Sequence, residues 1–182
     1  MTIRLGVVMD AVDAINYHKD STLAMLWEAD KRGWEIYYFQ QSDLSLRDCI
    51  PYGRARIMRV HQNENWYSWH GEKNMPLSEL DVILMRKDPP FDNEFVYSTY
   101  LLEQAEQAGV LVVNRPQSLR DCNEKYFATQ FSQYTPPTVV SRRPDILREF
   151  AKEQRDIILK PLDEMGGASM RCPSLERANF IG

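Results

Sequence analysis

The sequence predicts an α/β fold, and three observations carry that prediction. Short apolar runs at 3–9, 34–40, 81–87 and 110–114 have the length and composition of buried strands. Longer stretches at 21–33 and 92–109 have helical spacing with residues suited to cap them. The order of these pieces, strand–helix–strand and then strand–helix–strand again, is that of a sheet with helices packed on it.

Each element has its own reasons. The run IRLGVVM (3–9) ends at Asp10 and reads as a buried first strand. The polar stretch 10–20 reads as a loop. In 21–33, Asp20 or Ser21 can cap a helix, Leu23, Leu26 and Trp27 share one face, and Gly33 sits where a left-handed residue ends it. WEIYYFQ (34–40) is aromatic and β-branched, hence a second strand. Residues 54–70 read as two strands around the polar turn QNEN. DVILMRK (81–87) is another strand. Asp92 can cap the next helix, Glu94 suits its positive first turn, and Gly109 ends it. VLVVN (110–114) is a strand that Pro116 breaks. Asn123 can cap a helix burying Phe127 and Phe131. TVVS (138–141) reads as a short strand after two prolines, 143–155 as a helix, and IILK (157–160) as a strand. A domain boundary is expected near residue 122, giving units 1–122 and 123–182.

Composition excludes several function classes. Of 182 residues, 43% are hydrophobic and 26% charged, which fits a globular protein and argues against disorder. A net charge of −4 without a basic block argues against a sequence-independent grip on nucleic acid. No secretory signal is expected at the start, and no run approaches the ~20 apolar residues of a membrane span. Three cysteines without CxxC spacing read as reduced thiols in a cytoplasmic protein, with neither disulfide nor zinc. His61 and His70 lie in a polar stretch and read as surface residues.

Two patches can carry chemistry. Lys160 closes an apolar strand, where a lysine meets a carboxylate or phosphate, or snorkels to solvent. The pair Gly166-Gly167 follows, and consecutive glycines let backbone N–H groups approach an anion, although most such pairs are simple turns. The spacing matches neither a P-loop nor a dinucleotide fingerprint. Arg86, Lys87 and Asp88 stand at the carboxyl end of a strand, where open α/β sheets bind ligands. Arg86 can clamp a substrate carboxylate, or pair with an aspartate to pin the loop.

Four phrases, LGVVMD, LDVILMRKDPPFD, LVVNRPQSLRDCNEK and DIILKPLDEMGGAS, together resemble the amino-terminal part of bacterial glutathione synthetase, an ATP-grasp ligase. The resemblance spans residues 3–169. It implies a Rossmann-like pre-ATP-grasp domain followed by the first, incomplete part of an ATP-grasp domain. It implies the ligation of γ-glutamylcysteine to glycine with ATP and Mg2+ in the cytoplasm, by a chain that self-associates in the family. Lys125 and Lys160 match the family lysines that contact the nucleotide phosphates, and Gly166 and Gly167 match a small loop beside them. Arg86 and Asp88 fall in the most distinctive phrase and take a supporting role at the peptide substrate.

Two departures shape the expectation. Glu164 stands where the family reads glycine, and a carboxylate there would repel phosphate. The tail MRCPSLERANFIG lacks strand alternation. The resemblance implies that the magnesium-binding carboxylates and asparagine, the adenine-binding hinge and the larger lid loop belong to a half beyond it, so no metal ligand or catalytic residue is assigned. The expectation is a truncated, catalytically incomplete synthetase. The alternatives are a non-catalytic ligand-binding or subunit-interaction module derived from it, and an ATP-grasp ligase for another acid and amine.

Overall fold

Arg4–Met9 forms β1, and everything around it follows from its burial: from Leu5 to Met9 every residue is buried. The computed structural model describes residues 2–88, 90–163 and 170–172. In chain order the elements are β1, α1 (Ser21–Lys31), β2 (Glu35–Phe39), β3 (Leu44–Arg47), β4 (Ile50–Val60), β5 (Tyr67–Pro76), β6 (Val82–Arg86), α2 (Asn93–Gln107), β7 (Leu111–Val113), α3 (Pro116–Asp121), α4 (Glu124–Phe127), α5 (Pro144–Gln154), β8 (Ile157–Leu159) and β9 (Met170–Cys172). They fall into two compact units, residues 1–88 with 92–121 and residues 89–91 with 122–182.

The first unit holds a seven-stranded sheet in the order β3-β4-β2-β1-β6-β7, with β5 added on β4. β1 pairs in parallel with β2 and with β6, and β6 with β7. A strand with parallel neighbours on both sides is covered on both faces, which is why β1 is continuously apolar. β4 runs antiparallel to β2 and extends outward as an arm with β3 and β5.

Caps fix the helices. The Asp20 carboxylate accepts from the Leu23 N–H at 2.8 Å, satisfying a donor the helix itself leaves unpaired. α1 then buries Leu23, Leu26 and Ala29 against β1, β2 and β4 side chains including Val7, Tyr38 and Met58. Asp92 caps α2 by accepting from Phe95 N at 2.9 Å. Gly53 permits a close approach: a Cβ there would sit 2.5 Å from the Phe39 ring.

The structure revises several sequence expectations. The 54–70 pair is longer, running from Ile50 to Pro76, and β3 adds a strand not foreseen. Pro116 does not merely break a strand; its fixed φ starts α3. No strand forms at 138–141. The preceding prolines lack N–H groups, and the Thr138 hydroxyl instead bonds locally to the Pro136 carbonyl at 2.8 Å. The helix begun at Asn123 stops at Phe127 and continues as a 3-10 segment whose helix breaks at Phe131, with φ −116° and ψ 52°. Phe131 therefore stays 46% exposed rather than buried, in edge contact with Phe127. The tail does contribute a strand: β9 pairs antiparallel with β8, because the short apolar strand offers an unpaired edge.

Candidate functional site

At the carboxyl ends of β1 and β6 the first unit opens a cleft of about 320 Å³ beside the start of α1. Two networks build it. In one, Asp10 is the hub. Its Oδ1 lies 2.8 Å from Lys87 Nζ, its Oδ2 accepts from the Asp88 backbone N–H at 2.9 Å, and its carbonyl accepts from the Tyr38 hydroxyl at 3.1 Å. Lys87 also donates to the Asp88 carbonyl. Burial pushes the Tyr38 phenol above its ordinary pKa, so it remains a protonated donor. In the other, Arg86 Nε donates to Thr22 Oγ1 at 3.0 Å and Nη2 to Ser21 Oγ at 3.1 Å.

These contacts bear on one of the two sequence readings of Arg86. It does not pair with an aspartate to pin the loop; Lys87 and Asp10 do that. The guanidinium is braced by two hydroxyls and keeps its other N–H groups for a planar acceptor. Arg86 and Lys19 line this cleft together with Asp10, Asp20 and Asp88, so both signs of charge meet in it. Such a cleft suits a zwitterionic ligand with a carboxylate toward Arg86 and an ammonium toward the aspartates.

The second unit holds the two lysines. Asn123 starts α4: its Oδ1 accepts from the N–H groups of Lys125 and Tyr126, both at 3.1 Å. Its Nδ2 donates to the Leu162 carbonyl at 2.7 Å. One side chain therefore ties the chain two residues before Lys125 to the chain two residues after Lys160. The Lys125 side chain is 18% exposed, with Nζ 3.6 Å from Glu124 Oε1. Lys160 is exposed just beyond the end of β8. Gly166, Gly167 and Glu164 lie outside the described residues.

Sequence reasoning missed Asp10 as a hub, Ser21 and Thr22 as braces, and Asn123 as a tie. Asp10 had a signal, a carboxylate ending an apolar strand. The others had none beyond ordinary capping patterns, since their partners are 39 to 65 residues away. Among the described residues no group of three or more His, Cys, Asp or Glu side chains is placed to hold a metal ion.

Comparison with known proteins bears on what this arrangement serves. A family model described as the prokaryotic glutathione synthetase N-terminal domain matches residues 3–120. The chain belongs to the prokaryotic glutathione synthetase family. The family's ATP-grasp domain matches residues 124–180, in agreement with the expected pre-ATP-grasp domain followed by part of an ATP-grasp domain. A glutathione synthetase of Pseudomonas aeruginosa is 66% identical over 171 residues, covering 93% of this chain and 54% of that protein. One from Escherichia coli is 56% identical over 169 residues, covering 92% and 54%. The chain thus spans about half the length of the curated relatives it matches. Among solved structures, the ATP-grasp ligase PsnB complexed with a minimal precursor aligns at a TM-score of 0.51 and 15% identity, over 97% of this chain and 59% of that one. At that identity the likeness concerns the fold alone.

Proposed function

We propose that this chain carries the amino-terminal share of a cytoplasmic glutathione synthetase, which ligates γ-glutamylcysteine to glycine at the expense of ATP. The observation that carries the reading is the family match across both of its parts, 3–120 and 124–180. ATP supplies the phosphoryl group that activates the peptide's carboxylate. The chain's own residues hold and orient. Arg86, braced by Ser21 and Thr22, receives a peptide carboxylate, and Asp88 stands beside it in the cleft. Lys125 and Lys160 bring ammonium groups to the phosphates, where positive charge opposes what develops on phosphoryl transfer. Gly166 and Gly167 are assigned to the same phosphates by the family match alone. No step is assigned to Mg2+ through the described residues, among which no group of three or more His, Cys, Asp or Glu side chains gathers. Self-association belongs to the same reading and is checked by light scattering.

A second reading is a non-catalytic module that binds the peptide or a sister subunit through the braced Arg86 cleft of the first unit. Glycine-dependent phosphate release from ATP with γ-glutamylcysteine separates the two. We expect no turnover by the chain alone and turnover once it is extended to the full length of its Pseudomonas relative. An extended enzyme that stays silent, while the chain still binds the peptide, favours the module.

A further inference from the structure

On the far side of the sheet's antiparallel arm, β4 and β5 bring two histidines to one oxygen. His61 Nε2 lies 3.0 Å from Ser68 Oγ, and His70 Nε2 lies 3.2 Å from the same atom. Both imidazoles are exposed. The strand register explains the convergence. Arg59 faces Ser68 directly across the ladder, so His61, two residues on, is the diagonal neighbour of Ser68. The register then jumps from Met58↔Trp69 to Ile57↔Gly71, leaving His70 without a counterpart on β4. This is a β-bulge, the device by which a strand re-aims one side chain. Gly71, at φ +140°, supplies the backbone freedom beside it.

The triad is short of protons in a telling way. A hydroxyl has one hydrogen to give, so it donates to one imidazole and accepts from the other. One Nε2 therefore carries a lone pair aimed at the shared point, and the other reaches the same state by moving its proton to Nδ1 through solvent. We propose that His61 and His70 form a chelating pair for a divalent transition-metal ion, Zn2+ or Ni2+, at the position Ser68 Oγ now fills. Neutral imidazole is a favoured ligand for both ions. A metal bond of about 2.0–2.1 Å draws the rings in while Ser68 turns to another rotamer, and water completes the coordination.

The surroundings favour the ion. Arg59, opposite Ser68 on the ladder, is 3.2 Å from the Asp30 carboxylate, which offsets its charge. The backbone at His61 is held from two sides: its N–H donates to the Trp66 carbonyl, and its carbonyl accepts from Trp27 Nε1 at 3.0 Å. The rings need to move, but the attachment point of His61 does not.

The test is a titration of the full chain with Zn2+ slightly above neutral pH, read by calorimetry and by the imidazole nitrogen signals. We expect one ion per chain, with the Nε2 signals of both His61 and His70 shifting. His61→Gln or His70→Gln should each weaken binding roughly tenfold or more, at least the scale on which outer-shell changes alone weaken a metal. Ser68→Ala should bind as well as the parent or better, because the hydroxyl only keeps the place. His18→Gln, at an exposed histidine elsewhere, should change nothing. Absence of binding by the parent, equal loss on His18→Gln, or abolition by Ser68→Ala would each overturn the proposal.

Discussion

Arg86 shows what a single residue contributes. Its Nε and one Nη reach Thr22 and Ser21, which fixes the plane of the guanidinium before any ligand arrives. A lysine there keeps the charge but loses the fork. Arg86→Lys should therefore weaken γ-glutamylcysteine binding roughly tenfold to a hundredfold, the worth of a charge-assisted hydrogen bond of about 1.5–3 kcal/mol. Calorimetry on the parent and variant measures this, and equal affinities would remove Arg86 from the substrate site. Tyr38 makes a second prediction. Its burial raises the phenol's pKa above the ordinary 10.0, so the folded state favours the neutral form. The stabilisation is whole below pH 10 and is lost as pH rises through the higher folded value. Stability measured in denaturant should fall more steeply from pH 10 up to that folded value in the parent than in Tyr38→Phe. Parallel decline in both would assign the alkaline loss elsewhere.

At the scale of elements, much was legible because local rules and tertiary demands agree. Asp20 and Asp92 both cap as the sequence suggests, and β1, β2, β6 and β7 lie within a residue of their expected bounds. Agreement failed where a partner distant in sequence decides. TVVS has β-branched residues but finds no ladder, whereas β9 forms from an unpromising tail because β8 presents an edge. The arm of β3, β4 and β5 was only half seen, since its exposed residues lack the clean alternation of a buried face. Packing inside that arm is tight. Phe39 is fully buried against Gly53, where even a methyl group would clash. Gly53→Ala should cost about 1–3 kcal/mol through overpacking, read as a lowered denaturation midpoint with an unchanged slope. A neutral effect would mean that Phe39 has room to shift.

For the whole molecule, the two units differ in how much they bury. Among the described residues, Ala151 and Ile157 are the only buried hydrophobics of the second unit, while the first unit has a continuous core from Leu5 to Val112. Tyr134, Ile158 and Tyr126 are 84%, 60% and 53% exposed. Few buried apolar contacts mean low local stability. Limited proteolysis should cut first between residues 122 and 163 and leave a protected fragment ending near 121; even resistance along the chain would contradict this. The same contrast explains what the sequence could say of the site. Arg86 and Asp88 sit on a finished scaffold, so a motif at a strand end pointed to the cleft. Lys125 and Lys160 could be named only by resemblance, because the tie that joins their neighbourhoods, Asn123 to Leu162, crosses 39 residues and leaves no periodic trace.

Those two lysines are where the account is most exposed. In the chain extended to the full length of its relatives, glycine-dependent phosphate release should fall by roughly a hundredfold or more when Lys125 and Lys160 are both changed to alanine, as expected when charges aimed at a phosphoryl group are removed. Turnover undiminished by the double substitution would contradict the account directly.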